Sequence, residues 1–308
     1  MSEEPDVKKR KTTTHDSTTF KTDASSDGDN TQSIGIDSFD NDIVIRFASY
    51  LHSKDIVNLL LTCKTFGGMF NDDGGNTAAR QIISFASKDE RDALPKLHYQ
   101  TYIELYSELE QLRSPRLFDQ LVGTNLSYVN DDKSYIKLAG KSNDTTAICN
   151  HVMRAGKHYV TFQIGGTRDN VQLGLIRPVK DFDKRNYKSF GLLKPGYFGK
   201  LNNERTKRWG DSPVYICVLG LKSGNCCYGG RRTFGGFGWN GQESFRIGDD
   251  IGMLLDFDTG TLAVYKNERR LGVMRDKLSG DFSWVASVKI PGTTVRIEKG
   301  PIPTDLRL

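Results

Sequence analysis

One stretch, Gly248 to Val273, constrains the possible folds more than any other part of this sequence. Ile251 to Phe257 and Thr261 to Lys266 are two apolar-rich runs of strand length, set either side of Asp258-Thr259-Gly260. Gly248-Asp249 suits a turn that launches a strand, and Gly260 supplies the positive φ that a tight reversal needs. Asn267 tolerates the left-handed conformation of a second hairpin. Gly252, inside the first run, leaves room for a neighbouring backbone or ring to lie close. Two adjacent antiparallel strands are therefore predicted here.

The same strand-length period extends over the second half of the chain. After about Leu117 the pattern changes from helical to alternating. His158 to Gly165 places Val160, Phe162 and Ile164 on one face, and Val171 to Ile176 is bounded by Pro178. Val214 to Leu219 is almost wholly apolar, as for a buried strand, and Trp284 to Val288 and Val295 to Glu298 complete the series. Many short strands with turn signals and no long helical run argue for an antiparallel sandwich. Most of the 31 glycines fall in this half, as tight turns require.

The first half reads differently. Residues 1–36 are rich in Ser, Thr, Asp and Lys with hardly an aromatic, so a disordered tail is expected. It holds Lys8-Lys9-Arg10-Lys11, a run of the kind that serves nuclear import. From Asp37, a short helix capped at Asp40 or Asn41 carries Ile43, Phe47, Tyr50 and Leu51 at helical spacing. A second follows with Ser53 as cap, Asp55 in the first turn, and Ile56, Leu59, Leu60, Cys63 and Phe66 as its apolar side, ending at Gly67-Gly68. Asn71 to Asn76 reads as a loop, Thr77 to Ser87 as a weaker helix, and Lys96 to Leu112 as a helix whose stripe is Tyr102, Leu105, Tyr106, Leu109 and Leu112, stopped by Pro115. The predicted fold is mainly β. A tail (1–36), a helical segment (37–88) and a linker helix (89–116) precede an antiparallel β-sandwich (117–300) and a short C-terminal tail (301–308).

Catalytic and metal chemistry find little support. The histidines, His15, His52, His98, His151 and His158, show no metal-ligand spacing, and no nucleophile elbow occurs. The five cysteines include no Cys-x-x-Cys pair, and adjacent Cys226-Cys227 would bridge only with strain. Gly229 to Gly238 lacks the Gly-Lys-Ser/Thr end of a phosphate loop and reads as a flexible loop, with Trp239 as an anchor. Asp249, Asp250, Asp256 and Asp258 fit strand turns better than a calcium loop. The net charge of +5 is mild, so a nucleic-acid partner is disfavoured. No apolar run approaches a membrane span, and reduced cysteines point to cytoplasm, nucleus or both. No enzyme activity, cofactor or metal site is expected.

Gly248-Asp249-Asp250-Ile251-Gly252-Met253-Leu254-Leu255-Asp256-Phe257-Asp258, running on through Tyr265-Lys266-Asn267 to Leu271-Gly272, resembles the core of a SPRY domain. Gly156 to Phe162, Gln172 to Ile176 and Trp284 to Val288 are similar to that family's other strands, and Glu268 stands where it commonly has glycine. The resemblance implies a protein or peptide ligand held by loops at one side of the sandwich. The long connections here are Ala139 to Thr146, Arg177 to Pro213 and Leu221 to Arg246. Aromatic anchors on such loops bury large area at small entropy cost, which marks Tyr187, Trp209, Tyr228 and Trp239 as candidates, with Tyr197, Phe198 and Phe237 beside them. Tyr215 lines up with a tyrosine that contacts peptide in some SPRY relatives. The Trp-Gly pair that assists there is replaced by Ile290-Pro291, so that family's Asn-rich peptide preference is not carried over.

Ser38 to Phe66 is similar to an F-box, a helical module that docks on a Skp-type adaptor of cullin ubiquitin ligases. Tyr50-Leu51, the step to Asp55-Ile56 and the Cys63-Lys64-x-Phe66 ending carry the likeness, while Ser38-Phe39 replaces the family's opening Leu-Pro. The likeness implies adaptor contacts from Phe39, Ile43, Phe47, Leu51 and Ile56. Together the two resemblances imply a substrate-recognition subunit. The alternative is a SPRY interaction protein with no ubiquitin link.

Overall fold

The computed structural model describes residues 46, 50–62, 74–179, 187–203, 205, 207–210, 212–230 and 234–303. The tail, Lys8 to Lys11, and Phe39, Ile43, Phe47, Cys63 and Phe66 lie outside the described residues. Among the described residues, helices α1 (Ser53–Thr62), α2 (Gly74–Ser84), α3 (Lys88–Ala93) and α4 (Tyr102–Arg113) come first. Strands β1 (Phe118–Val122), β2 (Leu126–Val129), β3 (Asp132–Leu138), β4 (Thr145–Met153), β5 (Lys157–Gly165) and β6 (Gln172–Ile176) follow. Helix α5 (Pro195–Asn203) and a 3₁₀ turn (Lys207–Trp209) interrupt them before β7 (Val214–Gly220), β8 (Asn225–Gly230) and β9 (Phe234–Phe237). The chain closes with β10 (Asp250–Asp256), β11 (Thr261–Lys266), β12 (Arg269–Arg275), β13 (Phe282–Val288) and β14 (Thr294–Lys299).

The strands form two seven-stranded sheets in the orders β1-β4-β13-β6-β7-β8-β9 and β12-β11-β10-β5-β14-β3-β2, with antiparallel neighbours throughout. The protein is a mainly β, antiparallel sandwich preceded by a helical layer. Its interior is built by alternation: Leu173, Leu175, Cys217, Leu219, Trp284 and Ala286 from the first sheet meet Val160, Phe162, Met253, Leu255, Val264 and Ile297 from the second. The strongest sequence signal folds as its residues require. Ile251 faces Lys266, Leu254 faces Ala263, and β10 also pairs with β5. A Cβ at Gly252 would lie 2.1 Å from the Tyr159 hydroxyl, so the ring approach expected there is real. Asp256 accepts backbone N–H bonds from Asp258 and Thr259, as a turn aspartate does.

Four sequence-based expectations are corrected. Gly229 to Gly238 is not a loop throughout, because β8 and β9 pair across it, with Tyr228 opposite Gly235. Helix α2 begins at Gly74, inside the expected Asn71–Asn76 loop, and α3 is an additional helix set by a Ser87–Glu90 capping box. The linker helix starts at Tyr102 rather than Lys96, because Thr101 and Glu104 form a capping box there. Ser53 does not cap α1. Its hydroxyl and backbone N–H both bond to Glu110 of α4, whose other oxygen meets His52 at 2.7 Å.

The apolar stripe read on the linker helix is a packing face. Leu105, Tyr106, Leu109 and Leu112 of α4 pack with Ile56, Ala79, Ile82, Ala86, Ala93 and Leu94 in one apolar cluster. That layer sits against the β4–β5 turn. A Cβ at Gly156 would lie 2.8 Å from the Ala93 Cα, Lys299 Nζ donates to the Leu112 carbonyl at 2.9 Å, and Arg154 reaches Glu108 at 2.8 Å and Gln100 at 3.1 Å.

Two outcomes are expected. Asn267 and Glu268 form a two-residue turn with φ of 49° and 67°. Left-handed backbone costs a glutamate roughly 1 kcal/mol, so Glu268→Gly should raise unfolding free energy by up to about that amount in a denaturant titration. His151 and His158 lie buried 3.4 Å apart, and burial holds His158 down at about 4 and His151 well below its usual value. The unfolded chain protonates these rings first, so stability should fall as pH drops from 6.5 toward 4, by about 3 kcal/mol for His158 alone. His151→Gln with His158→Gln should flatten that dependence in melts across the same range.

Candidate binding surface

Strand β7 shows why the site has its shape. Cys217 and Leu219 point into the sandwich, whereas Ile216 and Val218 point outward with Val122, Ile148, Ile176 and Val285. The outer face of the first sheet is therefore apolar, which explains the unbroken apolar run Val214–Leu219. The connection between β6 and β7 covers it: Phe190, Leu192, Leu201 and Trp209 are buried on Tyr215, Ile216 and Val218.

Arg177, fully buried, staples this connection where it leaves and rejoins the sheet. Its backbone N–H donates to the Tyr215 carbonyl, its Nε to Val214 and its Nη1 to Asp281, each at 2.9 Å, and its guanidinium lies over the Phe282 ring at 3.9 Å. Trp209 donates its indole N–H to the Pro178 carbonyl at 3.0 Å. Arg208 pairs with Asp281 at 2.5 Å and approaches Glu108 of α4 at 3.8 Å. Burial pushes the Asp281 carboxyl up, and the Arg208 guanidinium beside it pulls the other way.

The five aromatic candidates separate into two places. Trp209 and Tyr215 stack edge-to-face at 5.2 Å, each 1% exposed, and the Tyr215 hydroxyl donates to Asn202 of α5 at 2.7 Å. Neither is presented to a ligand. That corrects the role implied for Tyr215 by the SPRY likeness and the anchor role read for Trp209, because α5 and the 3₁₀ turn occupy the face. Tyr187 is half-buried at the rim, 6.0 Å from the Phe190 ring and 6.4 Å from Tyr197, and exposed Lys200 sets its ammonium 4.4 Å from the Tyr187 ring centre and 5.4 Å from that of Tyr197.

The second place is the side of the sandwich where β9 and β12 are edge strands. Tyr228, half-buried, meets Phe237 at 5.5 Å, and Arg275 lies over both rings at 4.4 and 5.7 Å. Trp239 is 9% exposed and donates to the Gly224 carbonyl at 2.7 Å. It anchors its own loop and offers no free ring. Tyr187 and Tyr228 are thus the two candidates with accessible surface. Cys226 and Cys227 point to opposite faces of the sheet, and Cys226 approaches Cys217 at 3.9 Å instead.

In the helical layer Ile56 is 2% exposed and Leu51 is half-buried, its carbonyl accepting from the Tyr106 hydroxyl at 2.8 Å. Ile56 is a core residue here, so the adaptor contact implied for it is corrected. Sequence reasoning missed Arg177, Asp281, Lys200 and Leu201. The available signals were Pro195 as a first helical residue and Tyr197 and Leu201 at helical spacing behind it. Among the described residues no three His, Cys, Asp or Glu side chains group to hold a metal, and no helix is long and apolar enough to cross a membrane.

No protein-family model matches the chain, and no curated protein matches it. Solved structures that superpose on it include the SPRY domain of human HERC1, with 17% identity and a TM-score of 0.39, covering 61% of this chain and 99% of that one. The TRIM65 PSpry domain matches with 17% identity and a TM-score of 0.38, covering 59% and 89%. A human SPRY domain does so with 17% identity and a TM-score of 0.36, covering 60% and 99%.

Trp209→Ala should lower unfolding free energy by about 3–5 kcal/mol, whereas Tyr215→Phe, which removes only the bond to Asn202, should cost about 1 kcal/mol in the same denaturant titration.

Proposed function

We propose that this chain is a protein-interaction module of the SPRY type. The observation that carries the reading is the agreement between motif and register. The segments on which the likeness rests pair with one another, β5 with β10 and β10 with β11 in one sheet, β6 with β13 in the other. The half-buried Tyr187, Tyr197 and Tyr228 are the anchors a protein or peptide ligand would cover, and long connections on a rigid sandwich suit such a role.

The finer reading is a substrate-recognition subunit of a cullin-type ubiquitin ligase, working in the cytoplasm, the nucleus or both. A Skp-type adaptor would be held by the segment containing Phe39, Ile43 and Phe47, and a substrate by the sandwich. The supporting observation is an F-box-like sequence N-terminal to the sandwich, whose Ile56 packs in a helical layer tied to the sandwich through Glu108, Arg154 and Lys299. A second reading, an interaction protein with no ubiquitin link, is favoured by the burial of Ile56, which removes one implied contact from the surface.

Recombinant full-length chain mixed with a purified Skp-type adaptor separates the two. The ligase reading expects a stable complex on size-exclusion chromatography that Phe39→Ala with Phe47→Ala abolishes while the melting temperature holds. No complex with the folded wild-type chain would leave the second reading.

A further inference from the structure

The connection that covers the first sheet also carries the charge of the chain. Between Tyr187 and Pro213 stand six Lys/Arg and two Asp/Glu, leaving 37 of the 43 basic and 36 of the 38 acidic residues elsewhere. This stretch alone thus carries +4 of the net +5. Lys188, Lys194, Lys200 and Arg205 are exposed. They are also positioned. The Lys188 carbonyl accepts from the Thr124 N–H at 3.1 Å and from Asn143 Nδ2 at 2.7 Å. Lys200 lies on the Tyr187 and Tyr197 rings, and Lys194 pairs with Asp144, which raises the lysine above its usual value. Arg205 donates to the Gly210 carbonyl at 3.0 Å. The connection is pinned beneath by Arg177 and Trp209, so this basic rim is displayed on a rigid support.

We infer that the Tyr187–Tyr197–Lys200 rim is the docking surface for an acidic peptide segment of a partner protein, its carboxylates meeting Lys188, Lys200 and Arg205 around the two half-buried tyrosines. This rests on the reading of the chain as an interaction module and names the chemistry of its partner. Charge complementarity selects the sign of the ligand. The rings argue for a peptide over a nucleic acid. Tyr187, Phe190 and Tyr197 pack on one another and Lys200 covers the tyrosines, whereas single-stranded nucleic acid needs open ring faces on which bases stack. Lysine held on an aromatic pair gains cation–π attraction and keeps its charge available to a carboxylate beside it.

Fluorescence anisotropy with the full-length chain tests this. The probes are a labelled Asp/Glu-rich peptide containing one phenylalanine, the same peptide with lysine at each acidic position, and a single-stranded oligonucleotide of matching charge. The acidic peptide should bind, the lysine peptide should not, and binding should weaken as salt rises. Lys188→Glu with Lys200→Glu should weaken it by about tenfold or more, while Lys133→Glu with Lys137→Glu, exposed on β3 of the other sheet, should leave it unchanged. If charge reversal lowers the melting temperature, Lys188→Gln with Lys200→Gln carries the same expectation. Equal loss in the β3 variant, tighter binding of the oligonucleotide, or no binding of the acidic peptide would overturn the assignment. In the last case, an adaptor complex formed by the same preparation would show that the assignment alone had failed and the interaction reading stood.

Discussion

The structure depends on one constraint: the first sheet is apolar on both faces. Ile216, Val218, Ile148 and Val285 turn away from the sandwich interior, and water is excluded from them only because Phe190, Leu192, Leu201 and Trp209 lie on top. A sheet with one wet face would alternate apolar and polar residues, and β7 does not. The cover in turn needs its ends held together, which Arg177 does by bonding to Val214 and to Asp281 at once. Burying a guanidinium is costly without partners, and here burial lowers its proton affinity to about 10, still well above neutrality. The charge therefore persists, and the bonds it makes to two carbonyls and the ring of Phe282 offset part of that cost, with Nη2 buried and unpaired among the described residues.

The same corner joins the helical layer. Arg208, next to Trp209 in the cover, bonds to Asp281 and lies near Glu108, while Glu108 also holds Arg154 at the β4–β5 turn. Ion pairs at surfaces contribute little, but the Arg154 side chain is only 4% exposed, and the loss of one buried partner is expensive. The helices, the sandwich and the basic cover consequently form one connected body around Glu108, Arg208 and Asp281.

How far the sequence carried depended on how each strand buries itself. The β10–β11 hairpin was legible because alternation and turn residues agree. Strand β7 was legible because an all-apolar run of that length, rich in β-branched residues and closed by glycine, suits a strand buried on both faces. Strand β4 was not, since its buried residues include Thr145, Thr146 and His151. Those hydroxyls are satisfied inside the fold, Thr145 by the Val288 carbonyl and Thr146 by that of Phe190, and hydropathy cannot see partners so distant in sequence. The glycine-rich β8 and β9 read as loop, yet Gly235 is bare so that the Tyr228 ring can lie across it, about 3.1 Å from where a Cβ would stand. The aromatic candidates erred in the same way. Trp209 and Tyr215 are aromatic because they join cover to sheet, and a sequence does not say whether a large ring is spent inward or offered outward.

Amide hydrogen exchange tests the central claim most directly, by comparing the cover (residues 190–203) with strand β7 beneath it. If the outer face is buried as described, the amides of Tyr197 to Leu201 and of Ile216 and Val218 should open with similar free energies, as one cooperative unit. Exchange of the 190–203 amides orders of magnitude faster than that of β7, in a chain whose sandwich remains protected, would mean that the cover is not part of the fold and would contradict the account.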